Sequence, residues 1–203
     1  MIMFWNVFRS GILAGICISL GGAVYLCAGG LAGAVLFAFG LLTVVHFKYK
    51  LYTGTAGFID AMSGKEWLML LEVILGNIVG CGLVALLVHY AMPACVEAAG
   101  NILQARMSRG ILPCGALGIG CGFVMTASVK FAREGKFLPL LFGVPLFIMC
   151  GFTHCIADAF YYLAAPVDLL CSNVCTVIPL YVSIVVGNFI GCNLSRFIMP
   201  ENY

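Results

Sequence analysis

The sequence is short of charge. Asp, Glu, Lys and Arg make up 9% of its 203 residues, against about 25% in a soluble domain. No segment is polar enough to stand as a water-soluble domain of its own. Strand-like alternation of apolar and polar residues is also missing, which favours a helical bundle over a membrane β-barrel. The 11 cysteines contain no C-x-x-C spacing and so supply no metal or redox framework. Histidine is scarce, with His46, His89 and His154 only. His89 falls near the end of an apolar run, far from the other two, unlike ligands of a shared haem or metal. No cofactor, metal or enzymatic chemistry is expected. A net charge of +2 gives no footprint for nucleic acid. The first apolar run, after Arg9, continues without a convincing cleavage site, so it is expected to be a span rather than a leader.

What the sequence has is apolar length. Hydrophobic residues are 63% of the chain and the mean hydropathy is +1.12. At ~20 residues per span there is room for about six or seven helices. A bundle of helices is the form that pairs every backbone group inside lipid. Residues Ser10 to Val45 carry no charge, too long for one span and suited to a hairpin turning near Cys27-Ala28-Gly29-Gly30. A polar interruption follows, His46-Phe47-Lys48-Tyr49-Lys50-Leu51-Tyr52-Thr53-Gly54, and then a short apolar piece ending at Asp60. The reading is an all-α membrane protein of one domain, residues 1–203. Its six spans lie at about 6–27, 31–60, 67–92, 106–131, 137–164 and 173–198, the second and fifth broken. With both termini inside, Arg9, Lys65, Lys130, Arg133, Lys136 and Arg196 fall on the inner side and only Arg106 and Arg109 on the outer. That asymmetry predicts cytoplasmic termini in a multi-pass cell-membrane protein.

The chain also repeats itself. Gly11-Ile12-Leu13 opens the first span and Gly110-Ile111-Leu112 the fourth. Gly76-Asn77-Ile78-Val79-Gly80-Cys81 is echoed by Gly187-Asn188-Phe189-Ile190-Gly191-Cys192, and Tyr52-Thr53 by Phe152-Thr153. Three spans per half is an odd number, so the halves, about 1–93 and 104–203, must run in opposite directions. Inverted repeats with interrupted helices in matching positions place a site at mid-membrane.

Ionisable side chains persist in hydrocarbon only at a cost that something offsets. His154 and Asp158 sit one helical turn apart in Gly151-Phe152-Thr153-His154-Cys155-Ile156-Ala157-Asp158. Asp158 either orients His154 or pairs with a lysine, and Lys50, in the break of the second span, is the expected partner. Thr53 and Thr153 offer hydroxyls to a passing solute. Phe37, Leu41, Leu51, Tyr52 and Phe147 are bulky enough to narrow a pore. Cys171 and Cys175 flank a loop and are close enough in sequence to pair if it faces an oxidising side.

Gly151-Phe152-Thr153-His154-Cys155-Ile156-Ala157-Asp158-Ala159-Phe160 resembles the G-F-E-H-S-x-A-N-M-F signature of the formate/nitrite transporter family. Arg109-Gly110-Ile111-Leu112 resembles its R-G-I-L-C-N segment, and Leu51-Tyr52-Thr53-Gly54 its E-L-F-T-G loop. The resemblance implies an aquaporin-like fold and a homopentamer with one pore per subunit. It also implies conduction of small monovalent anions or their acids, such as formate, nitrite and hydrosulfide, linked to protons. It puts the central histidine on His154, the loop threonine on Thr53 beside Leu51 and Tyr52, and the constriction on Phe37, Leu41 and Phe147. The chain departs from the pattern at Lys50, where the family is acidic, at Asp158, where it has asparagine, and at Pro113-Cys114, where the fourth-span asparagine is replaced; Lys50, Asp158 and Cys114 are accordingly expected along the substrate pathway. The opposite charge changes at Lys50 and Asp158 suggest a compensating pair. The alternative reading is a channel for a small neutral solute such as ammonia, urea or water.

Overall fold

The computed structural model describes residues 2–59 and 63–199, and among them all regular structure is helical. In chain order the elements are α1 (Ile2–Ala28), α2 (Gly30–His46), α3 (Thr53–Ala56), α4 (Gly64–Ala91), α5 (Pro93–Arg109), α6 (Ile111–Arg133), α7 (Leu138–Met149), α8 (Cys155–Ala164), α9 (Val167–Ser172), α10 (Val174–Cys192) and α11 (Leu194–Ile198). Four helices are long and apolar enough to cross a membrane: α1 from Trp5, α4, α6 and α10. Helices α2, α7 and α8 are apolar but shorter.

Local chemistry sets the boundaries. Gly29 and Gly30 turn the α1–α2 hairpin with φ of 62° and 51°, a region glycine occupies without steric cost. Ser63 starts α4 with a reciprocal cap: its hydroxyl accepts from the Glu66 amide, and its own amide donates to Glu66 Oε2 at 2.9 Å. Pro93 opens α5, where its missing N–H has no helical partner to lose. Gly110, at φ 92°, separates α5 from α6.

Several expected boundaries move. The fourth span does not begin at 106; residues 93–109 form the separate helix α5, and the long helix starts at Ile111. Pro93 and the four-residue spacing of Cys95, Ala99 and Leu103 on its buried face were the available signals. The sixth expected segment stops at Cys192, and α11 follows after Asn193. The far end of the second segment, at Asp60, lies outside the described residues. The apolar stretch 137–164 is interrupted at residues 150–154, and the stretch after α2 is non-helical at 47–52.

Two glycine-rich seams hold the long helices together. In the α1–α4 seam a Cβ at Gly15 would run into the Asn77 backbone, and one at Gly80 into the Ile12 carbonyl. In the α6–α10 seam Gly122 meets the Asn188 backbone and Gly191 the Ile119 carbonyl in the same way. Small residues let helix backbones approach this closely, which is the usual basis of helix association in lipid. Helix α2 packs on α1, and α7 on α6. The short helices cross over: α8 packs on α4 and α1, whereas α3 packs on α6 and α10. Large apolar side chains such as Leu31, Phe39, Leu86, Leu112 and Phe142 face outward.

One asparagine in each seam ties down a non-helical stretch. Asn77 accepts from the Tyr52 amide at 2.9 Å and donates to the carbonyls of Gly11 (2.8 Å) and Lys50 (2.9 Å). Asn188 accepts from the Cys155 amide at 2.8 Å and donates to the carbonyls of Gly118 and Thr153, both at 2.9 Å. The cysteine four residues after each asparagine continues the pattern: Cys81 bonds the Ile156 carbonyl at 3.4 Å and Cys192 the Thr53 carbonyl at 3.5 Å. These bonds correct the register read from the letters. Gly11 corresponds to Gly118 rather than Gly110, and Tyr52 to Cys155 rather than Phe152. Leu51 then corresponds to His154.

Both asparagines are fully buried, and each serves three backbone groups. Replacing either with leucine keeps the branched shape and removes the partners, and every buried backbone group left unpaired costs about 1–3 kcal/mol. Asn77→Leu and Asn188→Leu should each destabilise the detergent-solubilised protein by about 3 kcal/mol or more, read as a drop in thermal midpoint. A change no larger than that of a lipid-facing Leu86→Val control would contradict this account.

Candidate functional site

The interruption at residues 150–154 ends in a reciprocal cap. His154 is the N-cap residue of α8, and its Nδ1 accepts from the Ala157 amide at 3.2 Å. Asp158 Oδ2 in turn accepts from the His154 amide at 2.8 Å. The four-residue spacing of His154 and Asp158 is therefore a capping arrangement, with the aspartate holding the backbone of the histidine rather than its ring. Because Nδ1 accepts, the neutral ring carries its proton on Nε2. Nε2 lies 3.0 Å from Thr53 Oγ1, so it donates to the threonine hydroxyl. That bond joins the first residue of α3 to the N-cap of α8 across 101 residues of sequence. Protonating Nδ1 would set two N–H donors against each other at Ala157, so this cap favours the neutral ring.

Aromatic rings cover the bond on one side. Phe147 stacks on the His154 ring with centroids 5.6 Å apart, and Phe37 meets Phe147 edge-on at 6.0 Å. Phe37, Phe147, Thr53 and His154 are all buried.

Two cavities flank this cluster. The first, ≈ 160 Å³, is lined by Tyr25, Arg106, Phe147, His154, Asp158 and Tyr161 among others. The second, ≈ 570 Å³, is lined by Leu41, His46, Lys48, Lys50, Leu51 and Arg133 among others. His154 faces the first cavity. Leu51 and Gly54, on either side of the Tyr52-Thr53 pair, face the second. The histidine–threonine bond thus lies between the two linings.

The ion pair is not the expected one. Lys50 is exposed and lines the second cavity, whereas Asp158 is 1% exposed and lines the first. The partner of Asp158 is Arg106, whose Nε donates to Oδ1 at 3.0 Å. The same guanidinium donates from Nη1 to the Gly151 carbonyl at 2.9 Å and from Nη2 to the Phe152 carbonyl at 3.3 Å. Arg109 also reaches the Gly151 carbonyl, at 3.1 Å. The planar fork suits this arrangement, with Nε, Nη1 and Nη2 each directed at a different acceptor. Helix α5 supplies both arginines, so missing this helix in the sequence also hid the pair. In the second cavity Arg133 plays a related part, donating to the Gly54 carbonyl at 2.7 Å with its guanidinium 3.8 Å from the Phe58 ring centroid.

The remaining candidates divide. Thr153 does not face a solute; its hydroxyl donates to the Cys114 carbonyl at 2.7 Å. Cys114 is fully buried behind the interruption and lines neither cavity. Tyr52 is buried, its amide held by Asn77, and it too lines neither. Leu41 and Leu51 line the second cavity, Phe147 covers the histidine, and Phe37 backs Phe147. Cys171, on α9, and Cys175, on α10, are both exposed, on either side of Asn173. Tyr25 and Tyr161 were not anticipated as lining residues. Their only signal was position, since α1 and α8 pack together.

The family model described as formate/nitrite transporter matches residues 2–199. The chain belongs to the formate/nitrite transporter family. It is 27% identical over 184 residues to the formate channel FocA of Haemophilus influenzae, covering 75% of this chain and 64% of that relative. The chain thus spans somewhat under two thirds of the length of the curated relative it matches. A solved pentameric formate channel with formate bound superposes with a TM-score of 0.83 at 21% identity, over 98% of this chain and 97% of that one. An ion channel of the same family superposes at 0.79 with 19% identity, over 98% and 90%. The chain has the helical fold of the formate/nitrite transporters, and its apolar helices make it a multi-pass membrane protein.

Removing one member of a buried pair strands the other charge, at a cost of about 3–5 kcal/mol. Arg106→Met should therefore lower stability by that order, and Arg106→Met with Asp158→Asn should recover much of the loss, because asparagine still accepts from the His154 amide. Thermal unfolding of the two variants in detergent checks it; equal midpoints would mean that the pair is not coupled.

Proposed function

We propose that the chain is a channel for a small monovalent weak-acid anion or its conjugate acid, of the formate, nitrite or hydrosulfide class, crossing the cell membrane. The observation that carries the reading is the Thr53–His154 bond between two cavities. In this reading the polypeptide makes six spans: α1, α2 with α3, α4, α6, α7 with α8, and α10. The second and fifth are interrupted, and the halves run in opposite directions about the paired asparagines. Both termini lie in the cytoplasm, the first cavity opens outward and the second inward. The names of the relatives, a formate channel and a pentameric formate channel with formate bound, support a formate-like solute and a homopentamer, with one pore in each subunit.

The mechanism follows from donors and dielectric. Basic side chains in the inner cavity (Lys48, Lys50 and Arg133) raise the local anion concentration. A bare anion meets a large penalty at the apolar barrier, up to ~20 kcal/mol by an idealised Born estimate. Phe37, Leu41, Leu51, Tyr52 and Phe147 narrow the path and exclude water. His154 acts as a neutral donor through Nε2 and leaves the Thr53 hydroxyl free to turn its own hydrogen toward the solute. Asp158 and the Cys114 backbone hold the interruption that positions the ring. A proton taken up by the solute removes its charge, so protons travel with it and the ring need not ionise.

A neutral-solute channel is the second reading. It is favoured by the Arg106–Asp158 pair, which cancels the central cation of the outer cavity. In proteoliposomes, the first reading expects formate flux well above urea flux and rising as the pH falls. It also expects His154→Phe to cut formate flux about tenfold or more, the equivalent of ~1.4 kcal/mol or more in transition-state binding. Urea flux exceeding formate flux would overturn it in favour of the second. Unchanged flux and pH dependence in His154→Phe would remove the histidine from the mechanism.

A further inference from the structure

Away from the barrier, two cysteines meet. Cys27, in the last turn of α1, and Cys95, in the first turn of α5, bring their sulfurs to 2.9 Å across 68 residues of sequence. Cys27 is exposed and Cys95 is buried. Two sulfurs this close need only a small movement to reach the ~2.05 Å of a covalent bond. We propose that Cys27 and Cys95 form a disulfide on the outer face of the membrane. The outer placement rests on the orientation proposed above, in which α1 ends and α5 begins outside, where disulfides persist.

The two cysteines lie on helices that also contribute to the first cavity. Tyr25, two residues before Cys27, lines one wall, and Ile102, Ala105 and Arg106 of α5 line another. Oxidation therefore links the end of α1 to the start of α5, the helix that carries Arg106 in its last turn. The step is thiol–disulfide exchange with a small oxidised thiol such as glutathione disulfide. The Cys27 thiolate attacks one sulfur of the oxidant and releases one reduced thiol. The Cys95 thiolate then displaces the second. Two protein S–H bonds are exchanged for one S–S bond, and the two electrons and two protons end on the two released thiols.

Glutathione disulfide applied to intact cells, followed by alkylation, proteolysis and mass spectrometry, should give a joined peptide pair containing Cys27 and Cys95, lighter by two hydrogens than the reduced pair. Cys150, Cys171 and Cys175, also exposed, should remain alkylated. The purified protein should show a higher thermal midpoint when oxidised than when reduced with dithiothreitol, and Cys27→Ser should lose both the joined peptides and the shift. Three results would overturn the proposal: no joined pair in cells or in detergent, a joined pair of other cysteines, or a pair formed in detergent but refused to the impermeant oxidant in cells. Formate flux of the reduced protein is read separately. A joined pair in a protein that carries no formate leaves the bond standing and removes the transport reading instead.

Discussion

Everything in this molecule depends on the need to pair backbone amides and carbonyls where water is absent. A helix does so internally, and a non-helical stretch does not. The two non-helical stretches at residues 47–52 and 150–154 are kept by Asn77 and Asn188, each spending one acceptor and two donor hydrogens on backbone groups of two different elements. The glycines beside them follow from the same need. An asparagine can reach a neighbouring helix backbone and a loop together only if the helices lie close, and Gly15, Gly80, Gly122 and Gly191 allow that approach.

The candidate site inherits its precision from those ties. Leu51 and His154 occupy matching places in the two interruptions, held through the residues on either side of them. One half offers an apolar side chain there and the other a hydrogen-bond donor. The Thr53–His154 bond is consequently asymmetric within a symmetric frame, with the Leu51 side facing the larger, basic cavity and the histidine side facing the smaller one, where charge is cancelled. Arg106 serves both the frame and the field, since the guanidinium that neutralises Asp158 also satisfies the Gly151 and Phe152 carbonyls.

Much of this was legible in the sequence. The poverty of charge gave the membrane class, and the Gly-Asn-x-x-Gly-Cys echo marked the two seams. The cost of burying His154 singled it out; Thr53 and Phe147 touch it, Phe37 backs Phe147, and Leu41 and Leu51 line the second cavity. What failed was partner assignment. Lys50 and Asp158 are complementary in charge, but charge says nothing about which cavity a residue faces, and the competing cation, expected at the start of the fourth span, sits on a separate helix, α5. The repeat was aligned by similar letters at Gly110 and Phe152, whereas the true correspondence is set by which carbonyl an asparagine reaches. Thr153 and Cys114 looked like pore-lining residues because their support of the backbone leaves no trace in a linear pattern.

The exchange of short helices between the halves bears on how the chain is made. The interruption at 47–52 can be captured early, because Asn77 lies only 25 residues beyond Tyr52. Helix α3 has to wait: the carbonyl of Ala56 is taken by Asn193, 137 residues later. During synthesis the first half therefore emerges with a short helix whose neighbours do not yet exist, and it acquires its final pairing only when the last long helix has left the ribosome.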